Sequence, residues 1–222
     1  RRLTRFKTPQ PSESLPPPDR DRPYMLYLHV PFCVVLCPFC SFHRVCFRED
    51  KATRYFESLR QEIRMAHDAG YRFADIYVGG GTPTVMPEEL AETLELVRRL
   101  SPIDSISIET NPDDLTPAVM GRMRDAGVTR LSVGIQSLDD KLLRQMDRYD
   151  KYGSAASVMS RLEGAQGYFD TLNADMIFNL PDQDDESLLR DVDLITRQAG
   201  VNQVTFYPLM SAESTMRKML KT

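Results

Sequence analysis

The chain has 222 residues, of which 41% are hydrophobic and 27% are charged, as in globular rather than disordered or fibrous proteins. Its formal net charge is -4, with 32 acidic and 28 basic residues, so no general positive field favours nucleic acid or an anionic membrane. The longest uncharged stretch, residues 24–42, contains two prolines and three cysteines and is a poor membrane span. We therefore expect a cytoplasmic protein with no membrane span and no nucleic-acid partner.

Residues 1–24 are predicted to form an extended N-terminal segment, because they hold six Lys or Arg and six of the fifteen prolines. Such a composition is typical of a tail or a docking strap. The sequence starts at Arg1 without a methionine or an apolar signal segment, which indicates a fragment or a trimmed chain. Residues 25–210 are expected to form one core domain, and residues 211–222 the start of a C-terminal region that is truncated or absent.

Strand-forming runs alternate with helical periodicity along the core domain. Three predicted helices end in an Ala-Gly pair, at Gly70, Gly127 and Gly200, as is typical of helix C-caps between βα units. Six strands separated by helices predict parallel pairing through right-handed crossovers, in an open doubly wound sheet or a partial barrel. In both architectures the chemistry lies at the carboxyl ends of the strands. The predicted strands span 25–30, 75–79, 105–109, 130–136, 172–179 and 203–207, and the predicted helices span 51–69, 116–126, 139–147, 154–165 and 185–199, with a further helix from Pro87.

The four cysteines, Cys33, Cys37, Cys40 and Cys46, lie within 14 residues. This crowding is typical of metal binding in a reducing compartment, whereas a disulfide framework would scatter them. The first three directly follow a strand, and three thiolates are one short of a closed tetrahedral zinc site but suit an iron–sulfur cube with one open iron. The alternatives are a zinc site completed by Cys46 or His43, or buried free thiols.

Glycines and polar residues follow the later strands. The glycines after the second strand let backbone groups approach a ligand closely, although such a loop can also be a simple turn. A carboxylate can accept a hydrogen bond from a ribose hydroxyl or an ammonium group, and an arginine can hold a carboxylate. Convergence of these groups on one rim favours a zwitterionic nucleoside ligand over solvated strand ends. The residues concerned are Gly79, Gly80, Gly81, Thr82, Glu109, Gln136, Arg148 and Asp175.

The motif Cys33-Val-Val-Leu-Cys37-Pro-Phe-Cys40 resembles the signature of the radical S-adenosylmethionine (SAM) superfamily, Cys-x3-Cys-x-aromatic-Cys after a first strand, with Phe39 at the aromatic position. The resemblance implies an α/β fold, a partial (β/α)6 TIM-like barrel, over the core domain. It also implies that Cys33, Cys37 and Cys40, without Cys46, bind a 4Fe-4S cluster. One or two molecules of SAM are the implied second cofactor, cleaved reductively to a 5'-deoxyadenosyl radical.

Five longer motifs extend the resemblance to the oxygen-independent coproporphyrinogen III oxidase-like branch of that superfamily. The branch includes the oxidase, heme chaperones, anaerobic heme-degrading enzymes, and class C methyltransferases and cyclopropanases. The motifs are Tyr27-Leu-His-Val-Pro-Phe-Cys33, Gly79-Gly-Gly-Thr-Pro-Thr84, Ser107-Ile-Glu-Thr-Asn-Pro112, Arg130-Leu-Ser-Val-Gly-Ile-Gln136 and Asn173-Ala-Asp-Met-Ile-Phe-Asn-Leu-Pro181. By position, the resemblance assigns SAM contacts, and no catalytic residue, to Tyr27, Phe39, Gly79, Gly80, Gly81, Thr82, Glu109, Gln136, Arg148, Asp175 and Ile177.

The resemblance implies an enzyme that acts on a tetrapyrrole or a similar unsaturated small molecule and takes electrons from reduced flavodoxin or ferredoxin. Where the oxidase has Cys-x-Cys, this chain has Cys40-Ser41-Phe42, so we expect no decarboxylation of coproporphyrinogen III. Heme chaperones of the branch commonly have Gly-Arg-x-His where this chain has Asp147-Arg148-Tyr149-Asp150. This difference weakens the assignment as a heme chaperone. The alternatives are a class C radical SAM methyltransferase or cyclopropanase, and a heme chaperone, which binds its ligand without converting it.

Overall fold

The computed structural model of the chain describes residues 16–19 and 21–210. Residues 1–15 and 20 of the predicted extended segment lie outside this part, as do residues 211–222. The predicted domain boundaries after residues 24 and 210 therefore stay predictions.

The predicted alternation of strands and helices is confirmed along the described core. Within that part of the chain, no helix combines the length and the apolar character that crossing a bilayer requires. The strands are β1 (Tyr24–Val30), β2 (Phe32–Cys33), β3 (Val45–Cys46), β4 (Phe73–Gly80), β5 (Ser105–Thr110), β6 (Arg130–Gln136), β7 (Thr171–Phe178) and β8 (Gln203–Pro208). The helices are α1 (Glu49–Asp68), α2 (Pro87–Leu100), α3 (Pro117–Asp125), α4 (Asp140–Gln145), α5 (Tyr149–Tyr152), α6 (Ala155–Ala165) and α7 (Asp185–Arg197).

Six strands form one parallel sheet in the order β1-β4-β5-β6-β7-β8, and β2 pairs with β3 separately. The spatial order follows the chain order, and helices lie between successive strands of the large sheet. Right-handed crossovers in one direction place all these helices on one face, which distinguishes a barrel from a doubly wound sheet. Strands β1 and β8 form the two edges of the described sheet, so the predicted partial barrel is confirmed.

The two faces of the sheet differ in chemistry, because side chains alternate along each strand. In β5, Ile106 and Ile108 are buried in the main core, whereas Ser107 and Glu109 belong to the opposite face. The helices cover the first face with residues such as Phe56 of α1 and Leu94 of α2, both fully buried. The opposite, polar face is therefore free to build a site at the strand ends.

The structure confirms two of the three predicted C-caps, at Gly70 and Gly127, whereas α7 ends at Arg197 with Gln198 as its C-cap, so Gly200 lies beyond the helix end. Gly70, Gly127 and Gly200 have φ angles of 100°, 95° and 64°, in the left-handed region that glycine adopts without a steric penalty. Gly70 and Gly127 directly follow the C-caps of α1 and α3, and all three glycines precede the next strand of the sheet.

A second, smaller hydrophobic cluster lies beside the carboxyl ends of the strands. It joins Cys37 and Phe39 of the loop after β2 to Leu142 and Leu143 of α4 and to Ile177 of β7. Burial of an aliphatic or aromatic side chain contributes about 1.5–3 kcal/mol. This packing therefore fixes the cysteine-containing loop, residues 33–40, against the barrel.

Candidate functional site

A cavity of about 460 Å³ opens at the carboxyl ends of the strands, next to the cysteine loop. Twelve of the fourteen site residues predicted from the sequence line it. Tyr27 and Gly79 do not line it. The twelve are Cys33, Cys37, Phe39, Cys40, Gly80, Gly81, Thr82, Glu109, Gln136, Arg148, Asp175 and Ile177.

Tyr27 and Gly79 neighbour residues close to the cavity without lining it. The Tyr27 ring is 54% exposed, and its hydroxyl is 3.0 Å from Nδ1 of His29. A Cβ atom at Gly79 would lie 3.0 Å from Oε1 of Glu109. Gly79 therefore makes room for that carboxylate, and Tyr27 supports a neighbouring histidine.

His29 connects β1 to the segment that follows the cysteines. Its Nε2 donates a hydrogen bond to the carbonyl oxygen of His43 at 2.9 Å, because that oxygen can only accept. In a neutral imidazole Nδ1 is then the acceptor for the Tyr27 hydroxyl. Arg44 adds a hydrogen bond from Nη2 to the carbonyl oxygen of Cys37. Arg44 thus holds the middle of the cysteine loop, and His29 holds the segment that follows it.

The three clustered cysteines are free thiols in a partly buried environment. Thr82 donates from Oγ1 to Sγ of Cys33 at 3.7 Å, and Arg148 donates from Nη1 to Sγ of Cys37 at 3.8 Å. Burial raises the pKa of the Cys33 and Cys40 thiols above the ordinary value. Within the described residues, no three His, Cys, Asp or Glu side chains form a group that could hold a single metal ion.

Cys46 differs from the other three cysteines. It lies on β3, where it is exposed and in register with Cys33 of β2. It does not line the cavity.

The glycine loop packs directly on the cysteine loop. A Cβ atom at Gly81 would lie 2.6 Å from the carbonyl oxygen of Phe32 and 2.9 Å from Sγ of Cys33. Such contacts leave no room for any other residue at this position. The next residue, Thr82, donates its backbone N–H to the same Phe32 oxygen at 2.8 Å.

Two carboxylates face the cavity from β5 and β7. Glu109 accepts from the Tyr77 hydroxyl at 2.7 Å and from the Gly80 backbone N–H at 3.2 Å. Asp175 accepts from Ser132 Oγ at 2.7 Å and from Asn173 Nδ2 at 2.9 Å. Burial raises the pKa of Asp175. Each carboxylate has about four acceptor positions, so both keep capacity for a ligand.

Arg148 is the buried cation of the site, with only 2% of its surface exposed. Its Nη2 donates to the carbonyl oxygen of Gly134 and, at 3.5 Å, to Oδ1 of Asn111. Its Nε has no hydrogen-bond partner, and among the described residues its guanidinium forms no ion pair. A buried charge is costly without a counter-ion. We therefore expect an anion to bind Arg148 in the cavity.

The end of β6 is distorted next to this arginine. The pairing of β6 with β7 shifts register between Gly134 and Gln136, and Gln136 has a φ of 78°. A Cβ atom at Gly134 would lie 2.9 Å from Nε2 of Gln136. Bulges and left-handed non-glycine residues of this kind are common next to functional sites.

Sequence reasoning missed several residues that line the cavity. Asn111 donates from Nδ2 to Thr82 Oγ1 at 2.9 Å and accepts from Arg148, so it links the two residues that contact cysteine thiols. Its position inside the Ser107–Pro112 motif was the available signal. Other lining residues that the sequence analysis did not select include Arg44, Gly134, Tyr152 and Tyr207.

A family model described as the Radical SAM superfamily matches residues 27–195. Heme chaperone HemW of Mycobacterium tuberculosis is 35% identical over 204 residues, which cover 87% of this chain and 51% of that protein. Oxygen-independent coproporphyrinogen III oxidase of Bradyrhizobium diazoefficiens is 37% identical over 177 residues, 75% of this chain and 38% of that protein. The solved structure of the coproporphyrinogen III oxidase HemN from Escherichia coli matches with a TM-score of 0.80 and 26% identity, over 91% of this chain and 48% of that chain. The chain thus spans about half, or less, of the length of these relatives.

Proposed function

The chain belongs to the radical SAM superfamily, and on this premise we propose that it binds a 4Fe-4S cluster through Cys33, Cys37 and Cys40 and cleaves SAM reductively. The observation that carries the proposal is the convergence of these three thiols, the glycine loop and the buried Arg148 on one cavity. Membership of the superfamily implies both cofactors. The ligand set and the number of SAM molecules are part of the proposal.

The residues around the thiols fit a thiolate-bound cluster. The three cysteines form no disulfide, and all line the cavity. The guanidinium of Arg148, with its unpartnered Nε, supplies positive charge beside Cys37. Three thiolates leave one iron of a 4Fe-4S cluster open for a further ligand. A closed zinc site needs a fourth protein ligand, and exposed Cys46 lies outside the cavity.

In this proposal the chain's polar residues hold SAM. When bound, the cluster would supply one electron to the sulfonium of SAM, whose C5'–S bond would break to give methionine and a 5'-deoxyadenosyl radical. Glu109 and Asp175 accept hydrogen bonds from the amino group and the ribose hydroxyls, and Arg148 binds the carboxylate. Gly80 and Gly81 line the cavity, and their backbone, which carries no side chain, lets the ligand approach closely. The further proposed contacts are uncharged residues that line the cavity, Phe39, Thr82, Gln136 and Ile177. Tyr27 and Gly79, which lie outside it, are proposed to act through His29 and Glu109.

Anaerobic reconstitution with iron and sulfide tests the ligand set. The wild-type chain and Cys46→Ala are expected to hold about four irons per chain, and Cys37→Ala is expected to lose them. With dithionite and SAM, the loaded chain is expected to release 5'-deoxyadenosine, measured by chromatography. Loss of iron in Cys46→Ala would refute the three-thiolate assignment. Zinc in place of iron after reconstitution would support a structural zinc site.

We propose a planar, unsaturated small molecule of the tetrapyrrole type as the substrate. The names of the relatives support the class, since they refer to heme and coproporphyrinogen. Phe42 lines the cavity with 68% of its surface exposed, and Leu209 and Met210 add apolar surface. A phenyl ring can pack and exclude water, but unlike a thiol it donates no hydrogen. The proposed activity therefore excludes decarboxylation of coproporphyrinogen III.

Product analysis separates the classes of activity. The loaded chain is incubated anaerobically with SAM, reductant and either coproporphyrinogen III or heme. Protoporphyrin from coproporphyrinogen III would contradict the proposal. Formation of 5'-deoxyadenosine coupled to a change in the tetrapyrrole supports it, and S-adenosylhomocysteine instead supports a class C methyltransferase or cyclopropanase.

A heme chaperone is the second candidate function. It is favoured by the Mycobacterium tuberculosis relative, which matches 87% of this chain at 35% identity. A chaperone is expected to bind heme stoichiometrically and to return it unchanged. Heme titration followed by absorbance, with recovery of the heme after incubation with SAM and reductant, distinguishes this function from catalysis.

We further propose a cytoplasmic location and reduced flavodoxin or ferredoxin as the electron donor. Substitution of chemically reduced flavodoxin or ferredoxin for dithionite in the SAM cleavage assay tests the donor. Cleavage with dithionite but not with either protein would contradict it.

A further inference from the structure

Arg44 is a second cation that lines the cavity, in addition to Arg148. Its side chain is partly buried, and within the residues that the structure describes it forms no ion pair with a carboxylate. Among its nitrogen atoms, only Nη2 donates a hydrogen bond there, to the carbonyl oxygen of Cys37, and the buried Nε has no partner. The chain's described residues therefore leave the charge of Arg44 without a counter-ion.

The charged side chains of the cavity can be matched with the charged groups of SAM. In the proposed function, Glu109 and Asp175 accept hydrogen bonds from the amino group and the ribose hydroxyls, and Arg148 binds the carboxylate. SAM carries a single carboxylate, so Arg44 has no anionic partner in this binding mode. Because a partly buried cation is costly without a partner, we expect a second anionic ligand in the cavity.

The hydrogen bond of Arg44 goes to the backbone of the cysteine loop and not to a thiol. Thr82 and Arg148 donate to the Sγ atoms of Cys33 and Cys37, at 3.7 Å and 3.8 Å, whereas Arg44 donates to the carbonyl oxygen of Cys37. A neutral carbonyl group fixes the position of the guanidinium but does not neutralise its charge. The remaining N–H donors of the guanidinium can bind a carboxylate.

An apolar surface lines the same cavity as this cation. Phe42, two residues before Arg44 in the sequence, lines the cavity with 68% of its surface exposed, and Leu209 and Met210 also line it. Tetrapyrroles such as heme combine a large unsaturated ring with carboxylate side chains. An exposed phenyl ring and a guanidinium match these two parts of the molecule.

We propose that Arg44 binds a carboxylate of the tetrapyrrole, while Phe42 contacts its ring. The inference rests on the proposed function, and it applies both to a tetrapyrrole that is converted and to heme that is carried unchanged. Arg44 is a specificity-determining residue in this scheme. The site is therefore expected to prefer a tetrapyrrole with free carboxylates over a neutral ester of the same ring.

Heme and heme dimethyl ester test the inference, because they share the ring and differ in the charge of the side chains. Each compound is titrated anaerobically into the iron-loaded chain in the same detergent solution, and binding is followed by heme absorbance. The wild-type chain is expected to bind heme about tenfold more tightly than the ester, because a hydrogen bond between charged groups is strong. Arg44→Met removes the charge and is expected to abolish this preference.

Arg44→Lys keeps the charge without the planar group and is expected to retain part of the preference. Arg72→Met is the matched control, because Arg72 is exposed, does not line the cavity and donates to the carbonyl oxygens of His67 and Tyr71 at 3.0 Å and 2.8 Å. It is expected to keep the wild-type preference. Iron is counted in every variant. Where Arg44→Met fails to hold iron, Arg44→Gln, which keeps a donor for the carbonyl oxygen of Cys37, replaces it.

Three results would overturn the inference while leaving the proposed function intact. The first is a wild-type chain that binds heme and the ester equally, which requires no variant. The second is an Arg44→Met chain that keeps the wild-type preference. The third is an equal loss of preference in Arg72→Met, which would indicate a general effect of net charge. A wild-type chain that binds neither compound would overturn the proposed substrate class and this inference together.

Discussion

At the scale of single residues, Asp175 is a carboxyl group that is costly to ionise in the folded chain. Burial raises its pKa, although Ser132 and Asn173 each donate a hydrogen bond to it. A carboxyl group whose pKa is higher in the folded than in the unfolded chain binds its proton more tightly when folded. Its contribution to stability is therefore complete below the unfolded value of 3.8 and is lost as pH rises through the folded pKa.

Asp175→Asn replaces the titrating group with a neutral amide of the same shape. The Tm of the variant minus the Tm of the wild type is expected to increase as pH rises from about 4 to about 7, because only the wild type loses stability through this group. Each kcal/mol corresponds to about 2–4 °C in a chain of this size. Thermal unfolding followed by circular dichroism across this pH range measures the difference in Tm. Asp125→Asn, with a side chain that is 67% exposed, is the control, and a difference for Asp175→Asn that does not vary with pH would contradict the prediction.

At the scale of secondary-structure elements, α7 is tied to the loop after β6 by one buried carboxylate. Asp191, 1% exposed, accepts from Ser137 Oγ at 2.6 Å and from the Leu138 backbone N–H at 3.0 Å. This loop leads into α4, against which the cysteine loop packs. The connection between α7 and this loop therefore stabilises the position of α4 and, through α4, that of the cysteine loop.

Asp191→Ala leaves two buried donors without an acceptor. Each unsatisfied group costs about 1–3 kcal/mol, so the free energy of unfolding is expected to fall by about 2–4 kcal/mol in a urea titration. Asp193→Ala on the same helix is the matched control, because Asp193 is half exposed and pairs with Arg197 at 2.9 Å. Such a surface pair contributes about 0.3–0.5 kcal/mol. An equal decrease in the free energy of unfolding of the two variants would contradict the prediction, because it would show that the buried hydrogen bonds of Asp191 contribute no more than a surface ion pair.

At the scale of the whole molecule, the cysteine loop connects the two hydrophobic clusters. Phe32, which directly precedes this loop, packs in the main core, and Cys37 and Phe39 pack with α4 in the second cluster. A ligand held by Cys33, Cys37 and Cys40 would cross-link the segment between these clusters. Metal binding of this kind adds to the free energy of unfolding, because the unfolded chain has no preformed site.

Loading with iron and sulfide is therefore expected to raise the Tm of the wild-type chain by several degrees. Cys37→Ala treated in the same way is expected to show no rise. Anaerobic scanning calorimetry of loaded and unloaded samples measures both. An equal Tm for the loaded and unloaded wild type would show that the cluster does not connect the two parts of the core.

The sequence by itself determined the local features of this protein. Hydrophobic periodicity and the Ala-Gly pairs at Gly70, Gly127 and Gly200 predicted the strands, the helices and their order. The spacing from Cys33 to Cys40 predicted the candidate cluster ligands, and the polar ends of β5 and β7 predicted Glu109 and Asp175. These signals could be read because each depends on residues close together in the chain.

Only the tertiary structure decided which distant residues meet. Arg148 contacts Cys37 across 111 positions of sequence, and Asn111 contacts Thr82 across 29. Tyr152 carries no motif, yet the chain between β6 and β7 brings its ring to the cavity and against Arg148. Tyr27 and Gly79, by contrast, belong to strong motifs and lie outside the cavity. Such contacts depend on the curvature of the sheet and on packing between helices, which no local pattern of residue types encodes.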